Sequence, residues 1–185
     1  ILTRRLDELA LTEMDSDLSP FDVNDVTQIE SQINEIIDQA NNLESEDKKL
    51  SAVLKIISDK QKLSNNKIML FSSFRHTLKY LNENLEQNNI RVGLIHGDIP
   101  DDQRTQLKDR FEPDRTNPEC IDVLLFSEVG CEGLDYQCCD CLINFDIPWN
   151  PMRIEQRIGR IDRNGQKSER VLIYNLITPG TVDAD

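Results

Sequence analysis

The chain has 185 residues, 38% hydrophobic and 30% charged, with 21 lysines and arginines against 34 aspartates and glutamates and a formal net charge of -13. That length buries one sizeable core with some chain left over for an appendage, and no apolar run approaches the roughly 20 residues of a membrane span, so no membrane role is expected. The acidity excludes a uniformly basic nucleic-acid-binding surface but leaves room for a local basic cleft. The opening ILTRRLDEL carries no initiator methionine and no signal-peptide pattern, so the chain reads as an excised piece of a longer protein.

Residues 1–66 contain no glycine and carry 7 basic against 14 acidic residues. A leucine-rich first segment is followed by a loop, DSDLSPFDVND. Behind the cap Asn24 or Asp25, Val26, Ile29, Ile33, Ile36 and Ile37 then follow 3/4 helical spacing. A second helix after Ser45 places Leu50, Val53, Leu54 and Ile57 on one face. With no candidate chemistry in it, the region 1–66 is expected to be a helical linker or appendage packed on a main domain.

From Lys67 the texture changes. KIMLF, RVGLIH, IDVLLFS, CLINFD and RVLIYNLI read as strands, and FRHTLKYLNENLEQN, DDQRTQLKDRFE, SEVGCEGLDYQ and PMRIEQRIGRIDR as the crossovers between them. Strands alternating with helices predict an α/β fold, a mostly parallel sheet covered on both faces. Ligands of such sheets bind beyond the carboxyl ends of the strands. Those ends hold Ser72-Ser73, His96-Gly97-Asp98, Ser127-Glu128 and Asp146-Ile147-Pro148.

The five cysteines are Cys120, Cys131, Cys138, Cys139 and Cys141. The trio CCDC invites a zinc reading, but adjacent strand residues point to opposite faces and no paired CxxC or histidine cluster lies nearby. Buried free thiols without metal or disulfide, in a reducing cytoplasm, are the expectation.

The stretch QRIGRIDRNGQ sets Arg157, Arg160 and Arg163 three residues apart, inside an island from Trp149 to Arg170 with 6 basic against 3 acidic residues. A helix starting at Pro151 after the cap Asn150 carries them beside a buried stripe of Ile154, Ile158 and Ile161. Gly159 costs about 1 kcal/mol in a helix interior, which suggests a close approach by another backbone or a ligand. Arginine suits phosphate, because its planar fork donates in bidentate fashion and never loses its charge.

These eleven residues resemble motif VI of the superfamily 2 helicases, the QxxGRxxR box, and their closing DR-x-GQ resembles the Swi/Snf-type DNA translocases. SEVGCEGLD is similar to motif V, with Ser127 for the usual threonine, Glu128 for the aspartate, and Gly133 and Asp135 matching directly. KIMLFSSF resembles motif IV, and LIHGDIPDDQR the segment between motifs IV and V. FDIPWNPMRIEQRIGR is similar to the bacterial RNA-polymerase-recycling ATPase branch. The resemblance covers about residues 67–182.

What it implies is a RecA-like three-layer sandwich at 67–185, truncated at its C-terminal end: the second domain of a two-domain motor. Arg160 and Arg163 would be arginine fingers reaching the γ-phosphate of ATP, held with Mg2+ mostly by the N-terminal RecA-like domain of the same polypeptide. Gln156 would lie near the nucleotide, Asp135 near the ribose, and Gly133 would let the backbone pass closely. DNA, in duplex form, is the expected partner, with RNA polymerase beside it.

Contacts to the nucleic-acid backbone would come from Ser72, His96, Gly97 and Ser127. Local readings stand beside these: Ser127 as a turn cap, His96 as a core histidine, and Trp149 as a packing anchor rather than a stacking platform. No GxxxxGK[ST] loop and no acidic magnesium box occur in the chain, so alone it is expected to hydrolyse essentially no ATP. The competing reading, a non-catalytic interaction module on the same fold, predicts eroded finger arginines. Both are intact.

Overall fold

The computed structural model describes residues 23–41, 47–112, 117–128 and 135–178. The chain divides into two compact units, Ile1–Ser45 and Glu46–Asp185. The described part of the first is α1 (Val23–Asn41), along which Ile29, Ile36 and Ile37 are exposed. The leucine-rich segment and most of the loop expected before it lie outside the described residues.

The second unit is built on β1 (Ile68–Phe71), β2 (Val92–Ile95), β3 (Val123–Phe126), β4 (Cys141–Asn144) and β5 (Leu172–Asn175). Its helices are α2 (Lys48–Gln61), α3 (Arg75–Gln87), α4 (Asp101–Phe111) and α5 (Pro151–Ile158). The five strands form one all-parallel sheet in the order β2-β3-β1-β4-β5. Every strand expected from the sequence is present.

Because the central strands are apolar on both faces, alternate residues feed two separate cores. Ile68, Leu70, Val123, Leu125, Cys141 and Ile143 pack with Val53 and Ile57 of α2 and Leu78, Leu81 and Leu85 of α3. Met69, Phe71, Leu124, Phe126 and Leu142 pack on the other face with Leu107 and Phe111 of α4, Tyr136 and Ile161. Phe71 stacks on Phe126 at 5.2 Å between ring centroids, and Tyr136 meets Phe126 edge-on at 5.1 Å.

One boundary differs from the sequence reading, which assigned residues 1–66 to an appendage. Helix α2 lies in the same compact unit as the sheet. Asp47 caps it by accepting from the Leu50 amide at 3.0 Å. Val53 and Ile57 are fully buried, and Lys60, itself buried, pairs with Asp140 at 2.5 Å. Periodicity revealed the apolar face of this helix but not what it would cover.

Among the described cysteines, Cys120, Cys139 and Cys141 are buried and Cys138 is half-buried, and all four thiols are free. Burial pushes the Cys138 and Cys141 thiols up to about 12 and Cys139 well above its ordinary value. The Cys139 thiol donates to the Cys141 carbonyl at 3.2 Å. Thiols held protonated are poor metal ligands and poor nucleophiles.

Two outcomes follow. Ile57→Ala should destabilise the chain by about 2–5 kcal/mol in urea unfolding, as should Leu81→Ala; a near-zero effect of Ile57→Ala alone would return α2 to appendage status. At pH 8, Cys138, Cys139 and Cys141 should resist thiol-labelling reagents in the folded chain and react on unfolding, with peptide mapping to assign each. Rapid native-state labelling of Cys139 would contradict the burial described.

Candidate nucleotide and nucleic-acid site

The carboxyl ends of the strands meet at one guanidinium. Asn150 accepts from the Met152 amide at 3.0 Å and Pro151 occupies the first turn, which starts α5 just past β4. From there α5 delivers Arg157 into the sheet, where it is 1% exposed. Its Nη1 donates to Asn144 Oδ1 at 2.7 Å and to the Asp146 carbonyl at 3.2 Å. Nη2 donates to the Glu128 carboxylate and lies 3.9 Å from Asp146 Oδ1. The guanidinium also sits 5.1 Å from the centre of the Phe71 ring.

Further bonds spread the knot along the edge. Asp146 accepts from the Ser72 hydroxyl and, at 2.9 Å, from the Ser73 amide. Asn144 donates to Asn175 Oδ1 at 2.8 Å, which ties in β5. Arg157 therefore connects the ends of β1, β3, β4 and, through Asn144, β5.

The helix expected to run through all three arginines stops at Ile158. Gly159 is its cap in a right-handed conformation, and Arg160 and Ile161 follow in a tight turn bonded back to Arg157 and Ile158. An added Cβ at Gly159 would come 3.3 Å from the Glu155 carbonyl. The described residues place no other element against it, so this glycine ends a helix rather than admitting a neighbour. The turn drops Ile161 into the core and docks the next loop on residues 135–139. The Tyr136 amide donates to the Arg160 carbonyl at 3.0 Å, and Gln166 Nε2 reaches the Cys139 and Ile161 carbonyls at 2.8 Å. Gly165 has φ +103 and faces Gln137, a conformation that requires glycine.

The three arginines thus occupy three different environments. Arg157 is buried and bonded. Arg163 is exposed, and its Nη1 donates to the half-exposed Asp135 carboxylate. Arg160 is half-buried, its Nε is enclosed, and its side chain has no hydrogen-bond or ion-pair partner among the described residues.

The remaining predicted residues divide as follows. Gln156 is exposed on α5, and Gly133 lies outside the described residues. Ser127 is buried, its amide bonded to the Ile95 carbonyl at 3.0 Å. His96 is half-buried, with Nδ1 accepting from the Asp98 amide at 3.3 Å. The Gly97 carbonyl accepts from Arg104 at 3.0 Å. Ser72 needs correction: it is fully buried and its hydroxyl is committed to Asp146, so it presents nothing to a phosphate in this arrangement. Its neighbour Ser73 is exposed. Trp149, read as a packing anchor, is 86% exposed. Glu128 and Asp146 were visible at strand ends, but their union through Arg157 had no sequence signal.

Residues 48–165 match the model of the helicase conserved C-terminal domain. The chain belongs to that family. It is 38% identical over 154 residues to the ATP-dependent helicase YqhH of Bacillus subtilis, covering 83% of this chain and 26% of YqhH. The RNA polymerase-associated protein RapA of Vibrio campbellii is 32% identical over 124 residues, 66% of this chain and 12% of RapA. The DNA repair and recombination protein RAD54B of Gallus gallus is 34% identical over 136 residues, 73% of this chain and 14% of that protein. The chain thus spans about a quarter or less of each of these relatives.

Among solved structures, the C-terminal part of the Fun30 ATPase domain superposes with a TM-score of 0.65 at 24% identity, covering 85% of this chain and 52% of that one. The Sulfolobus solfataricus SWI2/SNF2 ATPase core gives 0.59 at 23%, covering 74% and 27%. The fold is RecA-like, and the family is that of the helicase conserved C-terminal domains.

In this helicase domain the environments of Arg157 and Arg160 predict opposite mutational costs. Arg157→Met strands Glu128 and should cost about 3–5 kcal/mol, the range for a broken buried ion pair. Arg160→Met breaks no bond among the described residues and removes an enclosed, unsatisfied donor, so it should leave stability unchanged or raise it by up to about 1–3 kcal/mol. Urea unfolding of both variants checks the contrast; equal costs would refute it.

Proposed function

We propose that this chain is the C-terminal half of an ATP-dependent DNA translocase motor. In this reading Arg160 is offered to the phosphates of ATP bound chiefly, with Mg2+, by the first RecA-like domain of the same polypeptide. The observation that carries it is Arg160 itself: a half-buried side chain three residues after Arg157, with an enclosed Nε and no partner among the described residues. Arg157 and Arg160 each enclose an Nε without a partner, but Arg157 donates through both Nη atoms while the Arg160 side chain has no partner among the described residues, which supports one that arrives from outside. ATP supplies a phosphoryl group whose spreading negative charge a fixed guanidinium stabilises without reorganising.

Arg163 would join Arg160 on exchange of Asp135 for phosphate, which explains a pair held at the surface and through one nitrogen. Gln156, exposed one residue before Arg157, would be free to reach the nucleotide in this reading. DNA backbone would run along the strand ends by way of His96, Gly97 and Ser127, with the Ser73 hydroxyl in place of Ser72. The rival reading, a non-catalytic interaction module, gives no reason to keep an arginine both intact and unpaired.

In the full-length parent carrying both motor halves, Arg160→Ala should lower DNA-stimulated ATP turnover by about 10³-fold or more while KM for ATP changes little. Near wild-type turnover would make Arg160 structural. A wild-type parent without any ATPase activity would favour the interaction module.

A further inference from the structure

Arg75 and Asp98 form an ion pair that stability does not explain. Arg75 opens α3 directly behind β1, and Asp98 lies just beyond β2. In the sheet β3 runs between those two strands, so the pair bridges the carboxyl end from which Ser127 emerges. Arg75 Nη1 donates to Asp98 Oδ2 at 2.5 Å and Nη2 to Oδ1 at 3.1 Å, a bidentate fork. Yet the side chains remain 63% and 65% exposed, and pairs so placed contribute little to folding. The first residue of α3 is moreover a cation, on a helix whose N-cap Phe74 makes no side-chain cap bond. The helix dipole favours an anion there, so helix stability does not select this arginine.

We infer that Arg75 binds a backbone phosphate of DNA, and that Asp98 occupies its fork until that phosphate displaces it. This rests on the DNA-binding reading above and adds to it one contact and its gate. A guanidinium that grips two carboxylate oxygens offers the same two donors to two phosphate oxygens. Asp98 is itself anchored to the neighbouring turn: its amide donates to His96 Nδ1, and its Oδ2 lies 3.9 Å from that nitrogen. Arg104 holds the turn from behind through the Gly97 and Ile99 carbonyls, at 3.0 and 2.9 Å. The hydrogen bond from Arg75 keeps the Asp98 carboxyl below its usual range, so the gate stays charged at neutral pH.

The test is fluorescence anisotropy of the full chain with a labelled duplex oligonucleotide over a salt series, for wild type, Arg75→Gln, Asp98→Asn and the double variant. Arg75→Gln should weaken binding about threefold to tenfold and lower the slope of log affinity against log salt by about 0.9. Asp98→Asn should tighten binding by a similar factor, and that gain should vanish when Arg75 is already Gln. A gain that persists in the double variant would mean that Asp98 acts only as a surface charge, and an unchanged slope for Arg75→Gln would remove the contact; either overturns the inference. Absence of duplex binding by both wild type and Asp98→Asn would overturn the DNA-binding reading together with it.

Discussion

The carboxyl edge of this domain is organised by the buried guanidinium of Arg157. A charge in a sheet interior is tolerated only when paired and hydrogen-bonded, because desolvation costs several kcal/mol per ion. Here the compensation comes from the ends of several strands: Glu128 after β3, Asn144 and Asp146 at the end of β4, and the ring of Phe71 on β1. Strand ends are ordinarily the loosest part of a sheet. Here they converge on one cation, so the loops that leave them start from fixed points. Ser73, Glu128 and Trp149 each leave a strand within a few residues of an atom that Arg157 holds directly or through Asp146.

Three arginines at equal spacing have become chemically distinct because the helix ends between them. α5 ends at Ile158 with Gly159 as its cap, and the turn that follows carries Ile161 into the second core. The tight turn buries Ile161 and lets the loop carrying Arg163 lie against Asp135, which follows β3 in sequence. The glycine therefore acts through chain direction. It ends the helix, and the end of the helix separates the buried anchor from the two arginines left for other partners.

Much of this fold was legible because its strands are short, continuous apolar runs, the signature of a sheet buried on both faces. KIMLF, IDVLLFS and CLINFD became β1, β3 and β4 with only their ends trimmed. Helices α3 and α4 were bounded almost as closely. Less was legible where an outcome depended on contacts distant in sequence. Helix α2 showed its apolar face but not the sheet beneath it. Ser72 and Ser73 are equivalent strand-end hydroxyls in sequence, and only the direction in which Ser72 turns toward Asp146 separates them. The arginine motif announced a phosphate-directed role for the group. It could not say that the first of the three is spent holding the edge together, since that depends on Glu128 and Asn144, which are 29 and 13 residues away.

The acidity of the chain sharpens the reading of the arginine that remains. At the carboxyl edge the carboxylates are already matched: Asp98 with Arg75, Glu128 with Arg157 and more distantly Arg153, Asp146 with Arg157, and Asp135 with Arg163. Each pairing cancels a positive potential that would otherwise attract phosphate. The described carboxylates leave Arg160 unpaired, and its Nε is enclosed. In a protein with 34 acidic side chains to draw on, a guanidinium that no described carboxylate pairs with keeps its positive charge uncancelled by a direct partner.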